Sequence, residues 1–175
     1  KEFVNIKGIN VYEVKRWTKI TLTERLHGVI PPLPTPFLHG QLDEAGIEKI
    51  VRYLINEKVH GVVILGTTGK FQFLSESDKQ KVIDRVVGLK QNGFKILAGT
   101  TGNSLKETIA LSQYAEQKGV DAIVLAPRYE TYLPVVEYVK GVMHNTNVPV
   151  VLYNNPFITN GVHVDAAHAT MLLAH

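Results

Sequence analysis

Residues 62–69 read Val-Val-Ile-Leu-Gly-Thr-Thr-Gly, and their pattern is the clearest indication of the fold. Four apolar residues in succession are typical of a strand that is buried on both faces, as in a parallel sheet. The glycines and threonines that follow predict a tight turn at the carboxyl end of that strand. Helical patterns lie on both sides of the stretch, so the local order is helix, strand, helix.

The same rhythm continues along the chain, with one apolar run in roughly every 30 residues. The other runs lie at 29–30, 96–98, 122–126 and 148–153. Between the runs, apolar residues keep helical spacing, most clearly Ile47, Ile50, Val51, Leu54 and Ile55. Candidate N-caps of four helices are Asp43, Ser75, Ser104 and Asp165. Residues 104–107, Ser-Leu-Lys-Glu, have the form of a capping box.

Strict alternation of strands and helices predicts a parallel sheet with right-handed crossovers. Eight such units would give about 240 residues, near the ~250 of an α/β (β/α)8 TIM barrel. Residues 27–175 then correspond to roughly the first five β-α units. A five-stranded doubly wound sheet is the rival, although the first turn lacks the G-x-G-x-x-G of its dinucleotide-binding form. Residues 1–26 keep neither period and are interpreted as an N-terminal extension or appended arm that can include one short strand.

The composition excludes several classes of protein. Apolar residues make up 45% of the chain and charged residues 20%, which is ordinary for a globular domain. There is no membrane-length apolar run and no signal-peptide pattern, so we expect a cytoplasmic protein with no membrane partner. The lack of cysteine excludes disulfides, thiolate zinc sites and cysteine nucleophiles. A net charge of +3 without a basic run argues against nucleic acid but suits small anionic ligands.

Both ends of the chain look cut rather than complete. The sequence opens at Lys1, its first methionine is Met143, and it closes at His175 directly after an apolar helical pattern. We therefore expect the chain to be part of a longer barrel. The 7 histidines show no metal-ligand spacing, so we expect neither a metal nor another cofactor.

Hydroxyl groups are concentrated where the predicted strands end. Thr67 and Thr68 stand between two glycines, which permit close backbone approach, and free N–H groups there can hold a carboxylate or phosphate. The competing interpretation is a glycine-rich turn whose hydroxyls are satisfied internally. Tyr153 closes the fifth predicted strand and Tyr129 follows the fourth. A barrel would gather all four hydroxyls at one mouth, where they can relay a proton, although either tyrosine alone is more often a packing residue.

Five motifs follow one another in the chain, and together they are more specific than any one of them. They are Gly-Val-Ile-Pro-Pro-Leu-Pro-Thr-Pro-Phe (28–37), Gly-Gln-Leu-Asp (40–43), Gly-Thr-Thr-Gly (66–69), Ala-Gly-Thr (98–100) and Tyr-Asn-Asn-Pro (153–156). Over residues 27–175 this set resembles the dihydrodipicolinate synthase / N-acetylneuraminate lyase family. The resemblance implies a class I aldolase, usually a homotetramer, that joins pyruvate or another 2-oxo acid to an aldehyde through a lysine Schiff base.

The resemblance also implies roles for matching residues. Thr68 would hold the carboxylate of the 2-oxo acid, and Thr67 would join Tyr129 and Tyr153 in a proton relay. Tyr153 would lie nearest to the Schiff-base carbon and act as acid and base, and Tyr129 would reach into a neighbouring subunit's site. The implied substrate-binding residues are Gly66, Thr68 and Gly69.

The sequence departs from the family in three places. The Schiff-base lysine of the family lies on the sixth strand, beyond His175. Lys70, which follows the Gly-Thr-Thr-Gly where many members have Glu, is either a solvated loop residue or a group near the mouth. Ile158 stands where true dihydrodipicolinate synthases usually carry a carboxylate-binding arginine, which leaves room for aldolases of sugar acids or other aldehydes. Arg128, where an aromatic residue is common, either contacts a carboxylate or faces solvent.

Three hypotheses follow from this comparison. The parent protein is a Schiff-base aldolase or synthase; or the chain as it stands is a catalytically inert piece without its lysine; or the barrel binds 2-oxo acids without acting on them.

Overall fold

The computed structural model describes residues 3–6, 9–12, 26–127, 135–159 and 161–173. The strands are β1 (Phe3–Ile6), β2 (Ile9–Tyr12), β3 (Phe37–Leu38), β4 (Gln41–Leu42), β5 (Gly61–Ile64), β6 (Lys95–Gly99), β7 (Ala122–Leu125) and β8 (Val150–Leu152). The helices are α1 (Glu44–Asn56), α2 (Glu76–Val87), α3 (Leu105–Lys118), α4 (Val135–Asn145) and α5 (Ala166–Leu173). A short 3-10 turn covers Phe71–Phe73.

The main sheet is parallel, and its strands lie in the order β5-β6-β7-β8. Residues 29–33 extend it beyond β5, because the Leu33 N–H donates to the Val63 carbonyl at 2.8 Å and the Val63 N–H donates to the Pro31 carbonyl at 2.9 Å. The prolines of this segment have no N–H of their own, which limits the pairing to a single bridge. Spatial order thus follows chain order without the reversal of a doubly wound sheet, so the doubly wound rival is wrong.

The helix starts follow the predicted caps. The four capping side chains each accept a backbone N–H three residues on: Asp43 from Gly46, Ser75 from Asp78, Ser104 from Glu107 and Asp165 from His168. The capping box differs from its usual form, since the Glu107 carboxylate accepts from the Asn103 N–H at 2.9 Å. Each helix packs against the next one in the chain, which forms an outer layer over the sheet.

Burial is uneven across the sheet. Most residues of β5, β6 and β7 are buried, as expected for strands covered on both faces. The three residues of β8 are only half-buried, and Val29 at the opposite edge is exposed. Among the residues that the structure describes, both edges of this sheet are therefore incompletely covered.

The N-terminal segment contains more strand than its sequence indicates. β1 and β2 pair antiparallel, from Phe3 opposite Tyr12 to Ile6 opposite Ile9, where the irregular pattern suggested a single short strand. In the part of the chain that the structure describes, no helix has both the length and the hydropathy needed to cross a membrane.

Asp121 joins three groups at the amino end of the sheet. Its carboxylate accepts the Ile96 N–H at 2.9 Å and lies 2.8 Å from the Lys90 ammonium and 3.3 Å from that of Lys95. Burial raises the pKa of the Asp121 carboxyl, but the hydrogen bonds from Lys90 and Ile96 and the lysine charges outweigh it, so the pKa lies below its usual value.

We expect Asp121→Asn to lower the free energy of unfolding by about 1–3 kcal/mol at neutral pH. A carboxyl with a lowered folded pKa stabilises the fold above its unfolded pKa of about 3.9, and this stabilisation is lost as pH falls through the folded value. The difference between the free energies of unfolding of wild type and variant, measured by denaturant titration, should therefore begin to shrink below about pH 4 and disappear below the folded pKa. Asp84→Asn is the matched control, because Asp84 also pairs with a lysine but is 44% exposed against 16% for Asp121. Equal losses in the two variants would contradict the prediction.

Candidate active site

The carboxyl ends of the parallel strands meet at one edge of the sheet. In the ladder, Ile64 lies beside Ala98, Gly99 beside Val124 and Leu125 beside Leu152. The loops that leave this edge therefore start side by side, which is where parallel α/β folds place their sites. Of the predicted site residues, this edge carries Gly66, Thr67, Thr68, Gly69 and Tyr153.

The loop at 66–69 presents one threonine to solvent and is anchored by its last glycine. Thr68 is exposed, Thr67 is half-buried and Gly69 is buried. A Cβ on Gly69 would lie 3.0 Å from the Thr35 hydroxyl and 3.1 Å from the Leu33 carbonyl oxygen. Gly69 therefore lets the loop press against the first barrel segment while Thr68 stays accessible.

The strand before this loop ends in an unusual conformation. Leu65 is buried yet has φ of 56°, a left-handed conformation that costs a leucine free energy. Its carbonyl points at Gly99, where an added Cβ would overlap the Leu65 oxygen and lie 2.9 Å from the carbonyl carbon. The loop that carries Thr67 and Thr68 therefore depends on a glycine at the end of the neighbouring strand.

Tyr153 is held at the end of β8. Its N–H donates to the Leu125 carbonyl at 2.7 Å, and its side chain is 38% exposed. The phenol oxygen lies 2.9 Å from Nδ2 of Asn155, which donates to it. The next residue, Asn154, pairs through its side-chain amide with both backbone groups of Val164, at 2.9 and 3.0 Å. These contacts fix the backbone on both sides of the phenol.

A layer of buried hydroxyl contacts lies behind this edge. Thr101 Oγ1 accepts the Ala126 N–H at 2.9 Å, and Ser112 donates to Thr100 at 2.8 Å. Thr108 Oγ1 accepts the Gly102 N–H at 2.9 Å and lies 2.7 Å from the hydroxyl of Tyr138. These bonds join the ends of β6 and β7 to each other and to α3 and α4.

The model of one protein family, the dihydrodipicolinate synthetase family, matches residues 25–172 of this chain. The chain belongs to this family. It is 36% identical over 134 residues to the 4-hydroxy-tetrahydrodipicolinate synthase of Methanococcus aeolicus, an alignment that covers 75% of this chain and 46% of that one. The predicted family is therefore confirmed.

Solved structures of the dihydrodipicolinate synthetase family show the fold. The synthase of Aquifex aeolicus superposes with a TM-score of 0.80 at 26% identity, covering 86% of this chain and 52% of that one. A prophage protein of the family from E. coli K12, solved in complex with pyruvate, gives 0.78 at 32% identity, covering 84% and 50%. The chain is thus part of a TIM barrel and spans about half the length of the relatives that it matches.

Lys70 and Ile158, where the sequence departs from the dihydrodipicolinate synthetase family, lie in surroundings that differ from each other. Lys70 is exposed and has φ of 52°, in agreement with the interpretation as a solvated loop residue. Ile158 is half-buried in the turn at 156–159. Tyr129 and Arg128 lie outside the described residues.

The structure also contains a cavity of about 250 Å³, but it lies to one side of the predicted site. Its walls come from the segments after β5 and β6: Phe71, Gln72, Leu74, Ser75, Glu76, Lys79, Thr101, Asn103 and Glu107. Lys79 is buried there and donates to Glu76 at 2.6 Å. None of the predicted site residues that the structure describes (Gly66, Thr67, Thr68, Gly69 and Tyr153) is among its walls, so the candidate site is the open edge itself. Within the described ranges, no group of three or more His, Asp or Glu side chains is placed to hold a metal.

Residues 153–156 form a motif in the sequence, but the sequence alone indicates no role for Asn155. The signal for it is Asn before Pro, since an asparagine side chain in a turn commonly bonds to the backbone two residues on. The contact between Thr108 and Tyr138 had no such signal, because it joins residues 30 positions apart on different helices.

Proposed function

We propose that this chain forms part of a class I aldolase or synthase that joins or separates pyruvate, or another 2-oxo acid, and an aldehyde. The observation that carries the proposal is the placement of an accessible Thr68 and of the Tyr153 phenol at one carboxyl edge of a barrel of this family. A relative of similar fold was solved in complex with pyruvate, which supports the choice of 2-oxo acid.

In this proposal Thr68 holds the substrate carboxylate through its hydroxyl and backbone N–H. Gly66 and Gly69 give the loop the backbone freedom that close approach requires. A lysine amine attacks the ketone carbon, water leaves, and an iminium forms. The iminium withdraws electrons, so that loss of a proton from the adjacent carbon gives an enamine that attacks the aldehyde.

Tyr153, Thr67 and Tyr129 move protons in this scheme. The alkoxide formed from the aldehyde takes a proton from the hydroxyl relay, and water then releases the product and the lysine. Neutral hydroxyls suit this task because they transfer protons without adding charge beside the iminium. Tyr129 acts at a neighbouring subunit's site in a homotetramer.

The active form in this proposal includes further strands. The half-buried β8 and the exposed Val29 mark two edges that a closed barrel would cover. The Schiff-base lysine then lies on the strand after β8. Residues 1–26 are an extension outside the barrel, and the enzyme is cytoplasmic.

In this proposal, residue 158 does not bind a carboxylate of the aldehyde substrate. Ile158 has no polar atom in its side chain and cannot replace a bidentate arginine. We therefore propose an aldolase that acts on sugar acids or on other aldehydes.

Borohydride trapping with pyruvate tests the proposal. It uses a polypeptide that continues this chain to the length of its relatives, which we call the extended polypeptide. We expect a mass increase of one reduced pyruvate on one lysine of the extended polypeptide and none on the 175-residue chain. An extended polypeptide that stays unmodified contradicts the proposal, and pyruvate binding by calorimetry without an adduct would favour a non-enzymatic sensor.

A further inference from the structure

The side chain of Asn155 is oriented by two contacts at once. Its Oδ1 lies 3.2 Å from the backbone nitrogen of Phe157, and its Nδ2 lies 2.9 Å from the phenol oxygen of Tyr153. A backbone N–H can only donate, so the amide oxygen must face Phe157 and the NH₂ group must face the phenol. The contact with Tyr153 therefore has one direction, from Asn155 to the phenol oxygen.

The backbone of Asn155 is held in place as well. The Ile158 N–H donates to the Asn155 carbonyl at 3.1 Å, and the Thr159 hydroxyl lies 3.0 Å from the same oxygen. Pro156 restricts the chain directly after it. The asparagine is therefore a fixed part of a tight turn, and its NH₂ group is presented to Tyr153 by a rigid support.

We propose that Asn155 is a positioning residue that directs the hydroxyl proton of Tyr153 toward the mouth of the barrel. An NH₂ group has no lone pair to accept a proton, so the Tyr153 O–H must point to a partner other than Asn155. The inference rests on the proposed function, in which Tyr153 is the acid and base of the aldol reaction. Asn155 itself acts only through Tyr153.

Asn155→Asp reverses the direction of this contact. A carboxylate still accepts the Phe157 N–H, which preserves the turn, but it can only accept from Tyr153. The phenol then donates its proton to Asp and no longer to the mouth. We expect kcat of the extended polypeptide to fall by about 10- to 100-fold, a part of the effect of general acid–base catalysis, with little change in KM for the 2-oxo acid.

Asn155→Ser is the matched control variant. Serine also accepts from the N–H two residues on, but it is too short to reach the phenol and adds no charge. We expect a loss of less than about tenfold, because the phenol proton is then free to rotate but is not captured. Equal losses for Asp and Ser would contradict the inference. The inference would also be contradicted if Asn155→Asp lowered kcat by the same factor in the Tyr153→Phe variant as in the wild type. The loss would then come from the new charge and not from the phenol.

Infrared spectroscopy separates this inference from the proposed function. The frequency of the C–O stretch of an isotope-labelled Tyr153 differs between a phenol whose oxygen accepts a hydrogen bond and one whose hydroxyl donates. The measurement needs no turnover. In the 175-residue chain we expect an accepting phenol in the wild type, a donating one with Asn155→Asp and loss of the accepted bond with Asn155→Ser. An unchanged band in both variants would overturn the inference even if pyruvate is trapped. The expected bands without an adduct would leave the contact established and overturn the catalytic role built on it.

Discussion

Gly99→Ala should destabilise the fold by about 3 kcal/mol and remove 2-oxo-acid binding from the protein that still folds. The new Cβ would overlap the Leu65 carbonyl oxygen, and it would also lie 3.4 Å from the Ile64 oxygen. Both obstacles are backbone atoms, so the end of β5 must move. Because Leu65 directly precedes the loop at 66–69, that movement displaces Thr67 and Thr68.

Gly61→Ala provides a control with the same kind of clash at the opposite end of the β5–β6 pair. Its Cβ would overlap the Lys95 carbonyl oxygen and lie 2.8 Å from the carbonyl carbon, at the amino edge of the sheet. We expect a similar loss in the free energy of unfolding, measured by urea titration, but normal pyruvate binding by calorimetry of the extended polypeptide. If the two variants bind pyruvate equally well, Gly99 does not set the position of the threonine loop.

The elements of the fold were predictable because each of them depends on residues that are neighbours in sequence. The strand at 62–65, the N-caps and the loop after β5 all follow from patterns of a few residues. The sequence did not predict the order of the strands in the sheet. The consecutive order β5-β6-β7-β8, with residues 29–33 beside β5, is what excludes a doubly wound sheet. The extent of the pairing of residues 29–33 was also not predictable, because the prolines in this segment interrupt the pattern by which strands are recognised.

The location of the candidate site at the carboxyl edge was predictable from the sequence, but the contacts that support it were not. The positions of Thr68 and Tyr153 follow from where strands end. The left-handed Leu65 and its dependence on Gly99 arise from the contact of two strands, which no local pattern expresses. The hydroxyl pair of Thr108 and Tyr138 likewise requires α3 to pack against α4. Asn155 lies between these cases, because its turn is local but its contact with the phenol needs the geometry of β8.

Tyr153→Phe should lower the kcat of the extended polypeptide by about 10²- to 10⁴-fold, the range typical of a lost general acid and base. The change removes one oxygen from a half-exposed side chain, so the fold should keep its stability. Binding of the 2-oxo acid should change little, because the carboxylate contact is assigned to Thr68. The losses should therefore appear in kcat and in the rate of adduct formation, with KM for the 2-oxo acid nearly constant.

Tyr114→Phe is the matched control for this substitution. Tyr114 lies on α3 and donates to the Asp84 carboxylate at 2.8 Å, away from the carboxyl edge. It therefore loses a hydroxyl and a hydrogen bond without touching the candidate site, and we expect wild-type turnover. The acid and base role of Tyr153 is wrong if Tyr153→Phe keeps turnover within about threefold of wild type, since such a loss is far below what proton transfer contributes. A parallel fall in both variants would instead assign the effect to the loss of a tyrosine hydroxyl in general, and would leave the proton relay without its central member.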